Sequence, residues 1–244
     1  MCVIICCKPN CRPSADVLEA AFWRNPDGAG VMWADGHEVH GRKGLMTLEA
    51  LEDAVADVDE AAPLVIHCRI GTSGGNGPEV THPYPVSASL ERLHALEWAA
   101  PVGIAHNGML PYHTDDARGV SDTVSYVKHE AWPLKLRTRG RLATDELARA
   151  ELTRTSTGSR LAVMDGRGHV ARTGRGWEKV DRGIVASNGS WRPLESYGDL
   201  PRMCAGCEMC GRCAIYCPLC EDVALALGYT PEDVADELTS CEEW

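Results

Sequence analysis

Residues 1–7 read MCVIICC, so Cys2 directly follows Met1 and opens a run of β-branched and cysteine residues. A run of this kind predicts a buried strand over residues 2–7 that starts at the terminus itself. If Met1 is removed, Cys2 carries a thiol and a free α-amine on the same residue. The pKa of an α-amine is about 8 and that of a thiol about 8.5, so the amine can accept the thiol proton near neutral pH. Cys2 is therefore a candidate nucleophile with its own base.

The chain beyond this strand, up to about residue 190, carries further helix and strand patterns. Helical spacing follows the candidate caps Ser14 and Thr47, and it returns over Asp122–Trp132 and Ala143–Leu152. Strand patterns cover residues 2–7, 30–34, 38–42, 63–70, 102–106, 161–165, 169–172 and 184–187. This order predicts two sheets with helices outside them. Three cysteines on these strands are expected to be small buried core residues rather than metal ligands, namely Cys6, Cys7 and Cys68.

Composition argues against several classes of function. The chain has 244 residues, of which 44% are hydrophobic and 24% charged, and a formal net charge of −11. This charge argues against binding to a phosphate backbone, which needs a basic surface, so no direct nucleic-acid binding is expected. No run of apolar residues approaches the roughly 18 that cross a membrane, and the opening residues do not form a signal peptide. We therefore expect no membrane association and a cytoplasmic location.

Polar segments recur at the ends of the predicted core strands and in the turns beside them. They are Cys2, Asn25-Pro26-Asp27-Gly28-Ala29-Gly30, His67-Cys68-Arg69-Ile70-Gly71-Thr72, His106-Asn107-Gly108 and Ser121-Asp122-Thr123. Each has an ordinary structural explanation when taken alone, such as a turn, a surface ion pair or a helix N-cap. Together they supply a thiol as nucleophile, a guanidinium that can bind an anion, an amide that can stabilise an oxyanion and a carboxylate that can bind a cation.

In this order the segments resemble those of the class II glutamine amidotransferases, which belong to the N-terminal nucleophile (Ntn) hydrolase superfamily. The resemblance covers roughly residues 2–190 and includes Thr81-His82-Pro83 as a further marker. It implies an α+β fold, a four-layer αββα sandwich, as a domain over residues 2–192. It also implies a glutaminase activity that delivers ammonia.

The resemblance implies roles for the residues that act on the amide. Cys2, once N-terminal, corresponds to the nucleophile that attacks the side-chain amide of L-glutamine, with its α-amine as general base. The side-chain amide of Asn107 and the backbone N–H of Gly108 correspond to the oxyanion hole. The reaction would pass through a γ-glutamyl thioester that water hydrolyses to glutamate.

Other matching residues would hold the two charged ends of glutamine. Arg69 corresponds to the residue that pairs with the α-carboxylate, a task suited to a planar guanidinium. Asp122 corresponds to the acceptor of the α-ammonium group. Thr72 and His82 lie in segments that border the glutamine pocket in the family. The ammonia-accepting synthase is expected to be a separate chain, because only some 54 residues follow position 190.

Two other interpretations compete with this one. An Ntn amidohydrolase could act on a different amide, and Arg69 and Asp122 argue against it because they suit an α-amino acid. A non-catalytic protein could keep the fold and bind partners through its C-terminal segment. Retention of Met1 and an unreactive Cys2 would favour that second interpretation.

The C-terminal segment, residues 203–244, is predicted to be a cysteine-rich metal-binding module that ends in a helix. Its candidate ligands are Cys204, Cys207, Cys210, Cys213, Cys217 and Cys220. Two C-x2-C pairs at the two ends of this run favour structural zinc. The four cysteines from Cys207 to Cys217, the last followed by Pro218, copy a ferredoxin spacing, so an iron–sulfur cluster is the alternative. A module without metal is the third possibility.

Overall fold

The structure is a computed structural model and describes residues 2–71 and 74–192. Its strands in this part of the chain are β1 Val3–Cys7, β2 Ala29–Ala34, β3 Val39–Leu45, β4 Leu64–Cys68, β5 Tyr84–Pro85, β6 Glu97–Ala100, β7 Val102–Asn107, β8 Arg160–Asp165, β9 Val170–Arg172, β10 Glu178–Asp181 and β11 Ile184–Ala186. The helices are α1 Ala15–Trp23, α2 Leu48–Ala56, α3 Leu90–His94, α4 Asp122–Tyr126, α5 Trp132–Arg137 and α6 Glu146–Thr155. The predicted mixed α+β class is confirmed.

The strands form two antiparallel sheets. The first has the order β10-β11-β1-β4-β2-β3-β6 and the second the order β5-β7-β8-β9. Strand β1 lies inside the first sheet, because Ile5 is opposite Ile66 of β4 on one side and Ala186 of β11 on the other. The strand that follows Cys2 is therefore held along both of its edges.

Three buried apolar clusters define the order of the layers. Side chains alternate along β1, so that Val3, Ile5 and Cys7 pack with helices α1 and α2. Ile4 and Cys6 point the other way and pack with strands β7 and β8 of the second sheet. The third cluster lies between the second sheet and helices α4, α5 and α6. The layers are thus helices, seven-stranded sheet, four-stranded sheet and helices.

The helix predicted over Asp122–Trp132 is longer in the structure. It begins at Asp122, passes through a π-helical turn over Val127–Ala131 and continues to Arg137. A proline is tolerated in the first turn of a helix, because the amide it lacks would have no partner there. Pro133 stands at that position of α5, just after the wider π turn, and so does not end the helix. The other late helix is displaced, since α6 covers Glu146–Thr155 and is capped by Asp145.

The structure tests the prediction for the core cysteines but not the one for the C-terminal cysteine module. The predicted core cysteines Cys6, Cys7 and Cys68 are buried, as expected. The cysteine module over residues 203–244, with its six candidate ligands, lies outside the described residues. Within the described ranges, no helix has the length and apolar character needed to cross a membrane.

Candidate functional site

Cys2 lies at the end of β1 beside the segment that follows β4. Its Sγ is 3.3 Å from the backbone N of Ile70, which donates to it, and 3.5 Å from the carbonyl O of the same residue. The side chain is half-buried. The candidate nucleophile is therefore held against the residue next to Arg69.

Burial is the largest influence on the Cys2 thiol. It raises the pKa of Cys2, because the thiolate loses its hydration. The N–H of Ile70 and the charge of Arg69 act in the opposite direction, but burial outweighs them. Since the thiolate is the reactive form, chemistry at Cys2 needs a base close to the sulfur.

The turn at Asn25–Gly30 is bonded to this same segment. Asp27 N donates to Arg69 O at 2.9 Å, and Gly71 N donates to the Asp27 carboxylate at 2.7 Å. Gly30 is required by packing, because a Cβ there would overlap the carbonyl O of His82. The turn thus fixes the backbone on both sides of Ile70.

Arg69 is 3% exposed and follows the end of β4. Its Nη2 donates to the carbonyl O of Gly75 at 2.8 Å. A buried guanidinium keeps its charge and offers several N–H donors in one plane. This is the chemistry that a carboxylate ligand requires.

Asn107 and Gly108 stand at the end of β7. Asn107 is fully buried, and its Nδ2 lies 2.8 Å from Oγ of Ser187. Gly108 has a φ of 140°, and a Cβ there would lie 2.8 Å from the Cβ of Ser159. Only glycine fits this backbone without strain, and its N–H is set by that conformation.

Ser187 and Asn188 are bonded to the candidate site residues, although the sequence analysis did not name them as candidates. Ser187 Oγ accepts the N–H of Ile4 at 2.9 Å, and Ser187 N donates to Ile4 O at 2.8 Å. Asn188 Nδ2 donates to the carbonyl O of Cys2 at 2.8 Å. These two residues therefore hold the backbone of the candidate nucleophile. Their position at the end of a predicted strand was the one available signal.

Asp122 is connected to the end of β7 through two paths. Leu110 N donates to its Oδ2 at 2.8 Å, and Thr123 N donates to its Oδ1 at 2.7 Å. The Thr123 hydroxyl lies 3.2 Å from Oδ1 and 2.7 Å from Nδ1 of His106. If Thr123 donates to the carboxylate, His106 donates to Thr123, so that Nδ1 of His106 carries the proton. The carboxylate is thus oriented from the same strand that carries Asn107.

Three histidines meet between the sheets. The rings of His67 and His82 are 4.2 Å apart and those of His82 and His106 are 6.2 Å apart, measured between centroids. His67 Nε2 donates to His106 O at 2.9 Å. Burial lowers the pKa of His67 to about 3 and that of His106 to about 4, and it lowers the pKa of His82 well below its usual value. All three rings are therefore neutral at pH 7.

The structure places five of the predicted residues at or beside the ends of three strands, and His82 in the group of buried histidines. Cys2, Arg69, Asn107, Gly108 and Asp122 lie at the ends of β1, β4 and β7 or are bonded to them. His82 is 5% exposed and packs within the histidine group, where both of its ring nitrogens lack a partner among the described residues. Thr72 lies outside the described residues. In the part of the chain that is described, no group of three or more His, Cys, Asp or Glu side chains could hold a metal ion.

Comparison with known proteins gives distant likenesses to solved structures only. No family model and no curated protein matches the chain. Among solved structures, it is similar to the glutamine phosphoribosylpyrophosphate (PRPP) amidotransferase from B. subtilis complexed with ADP and GMP. The TM-score is 0.38 and the identity is 17%, over 77% of this chain and 42% of that chain. The chain therefore spans less than half of the length of that solved protein.

Proposed function

We propose that the protein is a glutaminase of the class II amidotransferase type, with the αββα sandwich of an Ntn hydrolase. One observation carries the proposal: two candidate groups, Arg69 and Asn107, are each linked through one other residue to Cys2 or the strand that follows it. Ile70, next to Arg69, donates to Sγ of Cys2, and Ser187 joins Ile4 to Asn107. The order of layers, helices outside two sheets, supports the finer fold assignment.

The proposed reaction uses these groups in sequence. After removal of Met1, the α-amine of Cys2 takes the proton of its thiol, and the thiolate attacks the side-chain carbonyl carbon of glutamine. Asn107 and the N–H of Gly108 stabilise the negative charge on the carbonyl oxygen. The intermediate expels ammonia, which takes its proton from the ammonium of Cys2, and leaves a γ-glutamyl thioester. Water then attacks the thioester, restores the thiol and releases glutamate.

Two charged groups would select an α-amino acid over other amides. The guanidinium of Arg69 would hold the α-carboxylate, and the carboxylate of Asp122 would hold the α-ammonium. Burial supports a strong role for Arg69, because a charge interaction is screened less in the interior than at the surface. We further propose that a separate synthase chain consumes the ammonia, with Thr72 and His82 bordering the pocket.

The test is mass spectrometry of the full chain after incubation with a diazo-ketone analogue of glutamine, together with an assay of glutamate release. We expect loss of Met1, one adduct on Cys2 and hydrolysis of glutamine. Cys2→Ser should abolish both adduct and activity. Cys11→Ser, at a half-buried cysteine beyond the other end of β1, is the control and should keep both. A chain that retains Met1 and takes no adduct would contradict the proposal.

The C-terminal module is a separate proposal. We propose structural zinc bound within residues 203–244, with an iron–sulfur cluster as the alternative outcome. Metal analysis of the purified full chain should give zinc that is lost when Cys217 and Cys220 are both replaced by serine. Iron with acid-labile sulfide would identify the cluster instead, and absence of both would contradict a metal module.

A further inference from the structure

Ser187 joins the N-terminal strand to the candidate oxyanion amide. It is fully buried, and its Oγ accepts the N–H of Ile4 at 2.9 Å. A backbone N–H can only donate, so Ser187 is an acceptor in that bond and its own hydroxyl proton is left for another group. The amide of Asn107, 2.8 Å away, is the polar side chain in reach.

The amide of Asn107 has two orientations of the same shape, and hydrogen bonds decide between them. With Nδ2 toward Ser187, the serine proton finds no acceptor and Oδ1 of Asn107 has no partner among the described residues. With Oδ1 toward Ser187, the hydroxyl donates to Oδ1, so that the Ser187 proton and the Asn107 oxygen are both paired. Unpaired polar groups in the interior cost free energy, so the second orientation is favoured.

We propose that Ser187 is a positioning residue that orients Asn107 for the proposed reaction. Its hydroxyl holds Oδ1, and the Nδ2 group of Asn107 then points away from Ser187 in a fixed direction. N–H donors held in a fixed direction before the reaction are what a developing oxyanion requires. This inference rests on the proposed function, because it assigns the Nδ2 donors of Asn107 to the oxygen of the glutamine amide.

Ser187 also links the strand that carries the candidate nucleophile to the candidate oxyanion donor. Ser187 bonds Ile4 through both its backbone and its side chain, and Ile4 stands two residues from Cys2. A single buried residue thus sets the distance between the strand of the nucleophile and the donor for the oxyanion. Asn188 adds a bond to the carbonyl O of Cys2 from the adjacent position.

The kinetic test compares Ser187→Ala with the wild type. Loss of one oxyanion donor lowers kcat by about 10²–10³-fold. A donor that is present but no longer oriented should cost less, so we expect kcat to fall roughly tenfold to hundredfold with KM unchanged. The control is Ser87→Ala, which also removes a buried hydroxyl that accepts a backbone N–H, from Ser89 at 3.1 Å, and should keep full activity. An unchanged kcat in Ser187→Ala would overturn the proposal.

A double-mutant cycle separates positioning from general stability. If Ser187 acts through Asn107, the pair Ser187→Ala and Asn107→Ala should be no slower than Asn107→Ala alone. Multiplicative losses in the double variant would overturn the proposal while leaving the glutaminase assignment intact.

A measurement of the amide orientation in the wild type does not depend on activity. In NMR spectra, the side-chain NH₂ of Asn107 is assigned by its disappearance in Asn107→Asp. We expect weak nuclear Overhauser effects from these protons to the Cβ protons of Ser187, since Oδ1 faces the serine. Strong effects would show Nδ2 against Ser187 and would refute the proposed orientation. An inactive wild type with weak effects would instead refute the glutaminase and keep the orientation.

Discussion

The buried histidines predict a steep loss of stability in mild acid. His67, His82 and His106 are each at most 5% exposed and neutral in the folded state. In the unfolded chain a histidine has a pKa of about 6.5. The folded pKa lies below the unfolded one for all three, so the unfolded state binds more protons in acid. The stability is therefore fully present above pH 6.5 and is lost as the pH falls from there toward 4, where His106 begins to titrate in the folded protein.

The size of the effect follows from the number of protons. Each proton bound only by the unfolded state changes the free energy of unfolding by about 1.4 kcal/mol per pH unit, so three give about 4 kcal/mol per unit. Between pH 6.5 and 4.5 each histidine would contribute about 2 kcal/mol and the three together about 6 kcal/mol. Such a loss is comparable to the whole stability of many domains, about 5–15 kcal/mol. Lowered carboxylate pKa values, such as those of Asp35 and Glu151, act below this window.

His82→Phe is the informative variant. Phenylalanine keeps an aromatic ring against His67 and Tyr84, and it removes two ring nitrogens that have no partner among the described residues. We expect the slope of the free energy of unfolding against pH to fall by about a third, to roughly 3 kcal/mol per pH unit. The stability at pH 7 should be retained or raised. The control is the exposed His37, whose replacement by glutamine should leave the slope unchanged.

The assay is urea unfolding followed by circular dichroism at several pH values between 7 and 4.5. The free energy of unfolding is extrapolated to water at each pH and plotted against pH. A wild-type slope below about 1.4 kcal/mol per unit would mean that fewer than one proton separates the states, and it would refute the reasoning. So would a His82→Phe protein with the wild-type slope.

Three other predictions concern single contacts. Gly30→Ala places a methyl group against the carbonyl O of His82, and overpacking of this kind should lower stability by roughly 1–3 kcal/mol, measured by thermal unfolding. Arg69→Lys loses the planar guanidinium and should raise KM for glutamine at least about tenfold, while Cys2 still reacts with iodoacetamide; an unchanged KM would contradict the carboxylate role. Asn188→Ala frees the carbonyl O of Cys2 and should lower kcat by about tenfold with little change in melting temperature, because a side-chain hydrogen bond contributes only about 1 kcal/mol. Full activity in that variant would contradict a positioning role for Asn188.

Strong local patterns allowed much of the fold to be predicted. Strand β1, the hairpin of β2 and β3, and helix α2 with its cap Thr47 all lie where turn residues and periodicity indicate. Strand β10 was missed, because its side chains at the sheet edge are half-buried or exposed and leave no apolar pattern. The length of the helix after Asp122 was wrong, because the effect of Pro133 depends on the π turn before it.

Part of the candidate site could also be predicted from the sequence, and part could not. Cys2, Arg69, Asn107 and Asp122 stand at the ends of predicted elements and could be named from motifs. Ser187 could not be, since its bond to Ile4 joins residues 183 positions apart and depends on the pairing of β1 with β11. Long-range partners of this kind are set by topology, which periodicity does not report.

The pairing of β1 with β11 also orders events during synthesis. Strand β11 and the bonds from Ser187 and Asn188 can form only after residue 188 has left the ribosome. At about 5–20 residues per second, the chain needs roughly 10–40 s to reach that point. Until then the backbone around Cys2 lacks its hydrogen bonds to Ser187 and Asn188. Removal of Met1, which the proposed function requires, would therefore have this interval in which to occur, before the final strands of the sheet close on the backbone around Cys2.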